Sequence, residues 1–158
     1  MIKTPETQNV RPKDLEWLAQ SLRLAQAFSE EPALETLLKS LPNIALEAWP
    51  AQQDVLREGE HGDDFFVVYA GELSVWHCAG KAPAREAGRL RPGDFFGEVG
   101  FLMRSARSAT VRTESACRVF RFPAHEFADL LKRHIALDVW VKTVAFIRIR
   151  DMFIGDGR

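Results

Sequence analysis

The chain has 158 residues, which suits one domain able to bury about 70% of its unfolded surface. Apolar residues make up 46% and charged residues 27%, and the formal net charge is −1, so no global basic field marks a nucleic-acid partner or an acidic membrane. No stretch is apolar enough to span a bilayer, the first residues lack a signal-peptide core, and Cys78 and Cys117 alone make no disulfide framework; the chain reads as reduced, cytosolic and cytoplasmic.

In chain order, residues 1–12 are polar, hold two prolines and are expected to be flexible. Residues 13–42 read as helical. Leu15, Leu18, Leu22 and Ala25 stripe one helix face at three- and four-residue spacing. A second helix is expected from Ser29, which can cap it, with Glu30 and Glu31 in its first turn and Leu34, Leu37, Leu38 and Leu41 along its apolar face. Pro42 helps to end it.

Residues 43–122 change period. Short apolar runs alternate with glycine-bearing turns such as "YAGE" and "RPGD", the pattern of an antiparallel sandwich or barrel. In "RPGD", proline and then glycine stand where a type II turn wants them. From Pro123 to 154 the pattern is helical again, first "PAHEFADLLKRH" and then the longer "LDVWVKTVAFIRIRDMFI". The reading is therefore α+β: an antiparallel, jelly-roll-like β-roll of about eight strands over 43–122, flanked by N-terminal helices, a C-terminal hinge and a long helix, all one domain over 13–158.

Residues 95–112, "FFGEVGFLMRSARSATVR", pose a question of charge. Glu98 falls in an apolar run and Arg107 among Ser105, Ala106, Ser108 and Ala109. A buried charge costs several kcal/mol, on the order of a domain's whole stability, unless it is paired. Either the two charges neutralise each other as a structural ion pair, or a ligand completes them. A short helix after Gly97 aims free N–H groups at one point, and Gly97 lets backbone approach a ligand. Arg107 can fork onto two phosphate oxygens, with the Ser108 hydroxyl beside it.

Together with the element order, these residues resemble the cyclic-nucleotide-binding domain family of catabolite activator proteins, cAMP-dependent kinase regulatory subunits and gated channels. The likeness runs over about residues 24–150. It is carried by Phe96-Gly97-Glu98, the short helical run after it, Arg107-Ser108-Ala109-Thr110, Gly59 in "REGE" and Gly71 in "YAGE". The resemblance implies a ligand, cAMP or cGMP with a lean to cAMP, rather than a cofactor. It implies that Glu98 accepts the ribose 2′-hydroxyl and Arg107 holds the phosphate. Gly97, Val99, Ser108 and Ala109 complete the cassette, and Val75 and Leu90 lie along the purine, although both are also ordinary roll core. Gly59, Gly71 and Gly93 read first as turn residues, and Arg104 as solvated.

No metal site is expected, because His61, His77, His125 and His134 show no ligand spacing, and no catalytic set is recognisable. The chain ends at Arg158 without a helix-turn-helix, so the expected output passes to an unidentified effector protein or a homodimer, with no direct nucleic-acid contact. The long helix is apolar on more than one face, with Leu137, Val141, Val144 and Phe146 set against Val139, Trp140, Ile147 and Met152. The resemblance implies that one side folds over the purine, with Trp140 or Phe146 as the candidate lid; the other is expected to pack on the N-terminal helix or a second subunit. The competing reading is a scaffold or oligomerisation module of the same fold that binds no nucleotide.

Overall fold

The computed structural model describes residues 4–22 and 33–156, with side chains to residue 152. Ala25 of the first apolar stripe and the expected cap at Ser29, Glu30 and Glu31 lie outside the described residues.

Alternating patterns over 43–122 give eight short strands: β2 (Ala45–Trp49), β3 (Asp54–Leu56), β4 (Phe65–Ala70), β5 (Leu73–His77), β6 (Arg85–Leu90), β7 (Phe95–Phe96), β8 (Thr110–Thr113) and β9 (Cys117–Phe122). A ninth, β1 (Glu6–Gln8), comes from the opening segment expected to be flexible. That expectation is corrected by pairing: Glu6, Thr7 and Gln8 oppose Ala48, Glu47 and Leu46. Without β1, β2 would be a bare sheet edge with unpaired N–H and C=O groups. The strands form two antiparallel sheets, ordered β1-β2-β9-β4-β7 and β3-β8-β5-β6.

The period of two decides which core each residue joins. Phe66 and Val68 of β4 meet Leu73, Leu90, Phe96, Val111 and Val119 between the sheets. Phe65 and Val67, one step out of phase, join Phe120, Phe122 and the helices on the outer face of the larger sheet. This strand is apolar throughout because both its faces are covered. The "RPGD" turn closes as expected, with Gly93 at φ +95° and the Asp94 amide donating to the Arg91 carbonyl at 2.9 Å.

Among the described residues the helices are α1 (Pro12–Ser21), α2 (Leu34–Lys39), α3 (Glu98–Met103), α4 (Ala124–Arg133) and α5 (Ile135–Asp156). Pro12 opens α1, where a missing amide costs nothing. His134 leaves helical geometry at φ −141° and ψ 88°, which separates α4 from α5. Its Nδ1 accepts the Leu137 amide at 3.1 Å, so the hinge residue also caps the helix it starts. Leu137 and Val141 of α5 are fully buried in the helical core.

A buried carboxylate fixes α1 on the sheet. Asp14 is fully buried, accepts the Tyr69 hydroxyl at 2.8 Å and accepts the Arg11 amide at 2.8 Å. Burial alone pushes this carboxyl up; the Arg11 amide, the Tyr69 hydroxyl and the Arg11 guanidinium outweigh it and hold the group below the usual carboxylate range. Asp14→Ala is expected to lose about 1–3 kcal/mol in urea unfolding at neutral pH, because Tyr69 and Arg11 lose their acceptor. The folded pKa lies below the unfolded one, near 3.9, so this contribution is present above that value and fades as pH falls through the folded value. Unfolding of parent and variant is therefore expected to converge in acid. A constant gap from pH 7 down to pH 2 contradicts the assignment.

Candidate functional site

Glu98 and Arg107 do not pair with each other. Arg107 is 7% exposed, and its guanidinium donates to two main-chain carbonyls, Gly97 at 3.2 Å and Asp64 at 3.1 Å. Glu98, 3% exposed, is paired with Arg148 of α5 at 2.8 Å. Both face one cavity of about 80 Å³ between the roll, α3 and α5. The structural ion pair between Glu98 and Arg107 is thus set aside.

Three glycines shape the seat of Arg107. A Cβ on Gly97 would stand 2.7 Å from the Asp64 carbonyl oxygen, and one on Gly100 2.8 Å from the Gly62 carbonyl oxygen. On Gly62 it would stand 3.0 Å from Arg107 Nε. Gly97 also takes φ +85°, which only glycine adopts cheaply. Main-chain bonds fasten the arginine's own backbone: the Arg107 amide donates to the Glu60 carbonyl at 2.8 Å, and the Gly59 amide to the Arg107 carbonyl at 2.9 Å. Burial pushes the guanidinium's pKa down, opposed by the charges of Asp64 and Asp63. Asp64 serves twice, since its carboxylate binds Arg121 at 2.6 Å while its carbonyl accepts Arg107.

The structure brings all eight sequence candidates together. Gly97, Glu98, Val99, Arg107, Ser108, Ala109, Val75 and Leu90 line the cavity. Ser108 is held in place by its carbonyl, which accepts His77 Nδ1 at 3.1 Å; the same nitrogen lies 2.7 Å from Glu58 Oε1. Arg104 is exposed, as the sequence suggests.

The structure does not bring the two lid candidates to the cavity. Trp140 is 37% exposed and Phe146 71% exposed, and neither lines the cavity. The α5 residues over the site are Arg148 and Met152. Phe146 and Arg148 lie two positions apart, about 200° around the helix, so they cannot share a face. A signal was available: Arg148 continues the stripe Leu137, Val141, Val144, and a lone arginine in a buried stripe is out of place unless a carboxylate waits for it. Gly62 and Gly100 carried no such signal, because their role depends on the fold bringing Arg107 over them.

Beyond the cavity a wider hollow of about 420 Å³ opens between β5, β6 and α5. Val75, Leu90, Arg148 and Met152 line both spaces. The small cavity is rimmed by the Arg107 and Arg148 guanidiniums, the Glu98 carboxylate and glycine backbone, which suits a compact anion carrying a hydroxyl. The larger one sets Val75 and Leu90 on one wall and Met152 on the other, with Arg85, Glu86, Arg89 and Asp151 also lining it, which leaves room for a flat ring with polar edges. Among the described residues, no group of three or more His, Cys, Asp or Glu is placed to hold a metal ion.

The profile of the cyclic nucleotide-binding domain family matches residues 46–134, more than half of the chain. The chain belongs to that family. Among curated relatives, a cAMP-dependent protein kinase regulatory subunit of Neurospora crassa is 33% identical over 115 residues, 69% of this chain and 29% of its own. A potassium channel of rice, Oryza sativa subsp. japonica, is 33% identical over 87 residues, 55% of this chain and 10% of the channel. The chain thus spans well under half the length of these curated relatives. Among solved structures, the regulatory domain of Toxoplasma gondii PKA, crystallised with cAMP, matches at TM-score 0.65 and 25% identity, over 77% of this chain and 46% of that one. A cyclic nucleotide-binding domain from Methylobacillus flagellatus shares the fold at TM-score 0.79 and 16% identity, over 96% of this chain and 88% of that one.

The glycine seat is testable by a matched pair. Gly59 and Gly97 both take positive φ, at +87° and +85°, but a Cβ on Gly59 meets nothing within 4 Å. Both substitutions to alanine carry the backbone penalty, of order 1–3 kcal/mol. Gly97→Ala adds the clash with the Asp64 carbonyl and is expected to lose more stability than Gly59→Ala in urea unfolding. Equal losses mean that the seat yields without cost.

Proposed function

We propose that this chain is a cyclic-nucleotide receptor that binds cAMP, or failing that cGMP, and signals to a partner by movement of α5. The observation that carries the reading is Arg107, a buried guanidinium whose hydrogen bonds go to main-chain carbonyls and which faces a cavity shared with a buried carboxylate. A cyclic phosphate bears one negative charge, which one arginine matches. The ribose 2′-hydroxyl fits Glu98, and the purine fits the hollow between Val75, Leu90 and Met152. The names of its relatives favour cAMP as the first ligand to test. They also favour regulation over catalysis, since those relatives are a kinase regulatory subunit and a channel.

The outward side of α5 supports a protein partner, an effector or a second copy, because Ile135, Val139, Phe146 and Ile147 are exposed apolar side chains there. Helix movement gives a ligand a way to alter that surface, provided it contacts α5 differently in the two states.

Calorimetry with cAMP and cGMP tests the binding. Arg107→Ala leaves a desolvated phosphate unpaired and is expected to cost about 2–5 kcal/mol, or about 30-fold to several thousandfold in affinity. A variant that binds like the parent, or a parent that binds neither nucleotide, overturns the reading. Glu98 is tested separately with 2′-deoxy analogues. Removing a hydroxyl from a charged acceptor costs about 1.5–3 kcal/mol, so the deoxy forms are expected to bind about 10- to 150-fold more weakly. Equal affinity would assign Glu98 to α5 alone.

A further inference from the structure

Arg148 stands where the proposed ligand has to pass. Its Nη1 lies 2.8 Å from Glu98 Oε1 and donates to the Phe95 carbonyl at 2.7 Å. Its guanidinium also covers the Phe95 ring, 5.1 Å from the centroid. One side chain of α5 therefore bonds to both ends of the turn that starts the cassette. The carboxylate it holds is the same one proposed for the ribose hydroxyl.

The two spaces around it make the conflict concrete. Pockets that enclose a whole small ligand span about 300–1,000 Å³. The cavity beside Glu98 and Arg107 is about 80 Å³, far below that range, and the remaining room lies in the hollow of about 420 Å³ on the other side of Arg148. A ligand with its phosphate at Arg107 and its ring in the hollow must run through the neck formed by Val75, Leu90, Arg148 and Met152. We infer that Arg148 is an internal competitor: it occupies Glu98 in the empty chain and has to release it before a nucleotide can span both spaces. This inference rests on the receptor reading above.

The exchange keeps a hydrogen-bond donor on Glu98 but gives up its counter-charge, a cost that the ligand's other contacts have to meet. A guanidinium N–H leaves the carboxylate and a hydroxyl O–H takes its place, so the buried acid is not left bare. Arg148 already has 31% of its side chain in contact with solvent, so its charge is readily rehydrated on leaving. The apparent affinity of the chain is its intrinsic affinity reduced by the fraction of molecules in which Arg148 has let go. Removing Arg148 removes that reduction. If Arg148 served to clasp the ligand, removing it would have the opposite effect.

The test uses the full chain as parent, Arg148→Ala and Arg148→Gln, the last keeping bulk while losing charge. Calorimetry is run with cAMP and with cGMP, and hydrogen–deuterium exchange is run on the ligand-free proteins. Coupling of this kind spans about 5- to 150-fold, so both variants are expected to bind tighter by a factor in that range. Amides of residues 146–152 are expected to exchange faster in both variants without any nucleotide. Binding that is equal or weaker in the variants, with a parent that does bind, overturns the competitor role and leaves the receptor reading intact. Unchanged exchange in the ligand-free variants also overturns it. If neither parent nor variants bind either nucleotide, the receptor reading falls and takes this inference with it.

Discussion

A guanidinium held by carbonyl oxygens is the constraint around which this end of the molecule is organised. Carbonyl dipoles compensate a buried charge only if several of them converge on it, which requires main chain to come closer than side chains allow. Hence residues 62, 97 and 100 are glycine, and Asp64 and Gly97 turn their oxygens inward. The segment that carries Arg107 is then fixed by its bonds to Gly59 and Glu60, which sets where Ser108 and Ala109 fall. An arginine paired with a carboxylate would need none of this, and it would have little charge left to offer a ligand.

The seat is joined to the helical layer through aromatic packing. Phe95 and Phe96 are adjacent on β7 and point to opposite sides. Phe96 stacks on Phe66 between the sheets at 4.9 Å, beside Arg107, while Phe95 packs on Phe65 at 5.3 Å on the helical side. Phe65 stacks on Phe127 of α4 at 3.8 Å, and Phe101 of α3 meets the same ring at 5.0 Å. Close-packed rings of this kind transmit a displacement rather than absorb it. In the proposed receptor these rings are the route from the cassette to α4, and α5 follows directly after it through His134.

The sequence revealed most where one rule governed a residue by itself. Alternation gave the strands of the roll, and proline followed by glycine gave the turn at Arg91–Asp94. The Glu98 and Arg107 anomaly was visible because each charge violated its local surroundings. What escaped depended on distant partners. β1 has no strand-like composition and exists because β2 would otherwise be an unpaired edge. Trp140 and Phe146 were attractive as lids for their aromatic rings, but helical phase, fixed by burial of Leu137 and Val141, turns them away from the site. That same phase brings Arg148 inward, and its partner lies fifty residues earlier in the chain, where no window of neighbouring positions would show it.

The burial of α5 is graded along its length, and this determines which part can move. Leu137 and Val141 are fully buried and Ala145 is 3% exposed, so the first half of the helix is anchored by apolar contact with the core. Fully burying a side chain of the Leu or Val kind contributes about 1.5–3 kcal/mol, and neither salt nor a hydroxyl competes for it. Beyond Ala145, the inward contacts are Arg148 and Met152. An ion pair with one partner partly in solvent can be exchanged for another hydrogen bond, as apolar burial cannot. The helix is therefore most readily released where it crosses the site, not next to the His134 hinge. In the proposed switch, displacing the distal half need not unseat the proximal half, so the proposal places the motion in the segment that bears both the inward Arg148 and the outward Phe146 and Ile147.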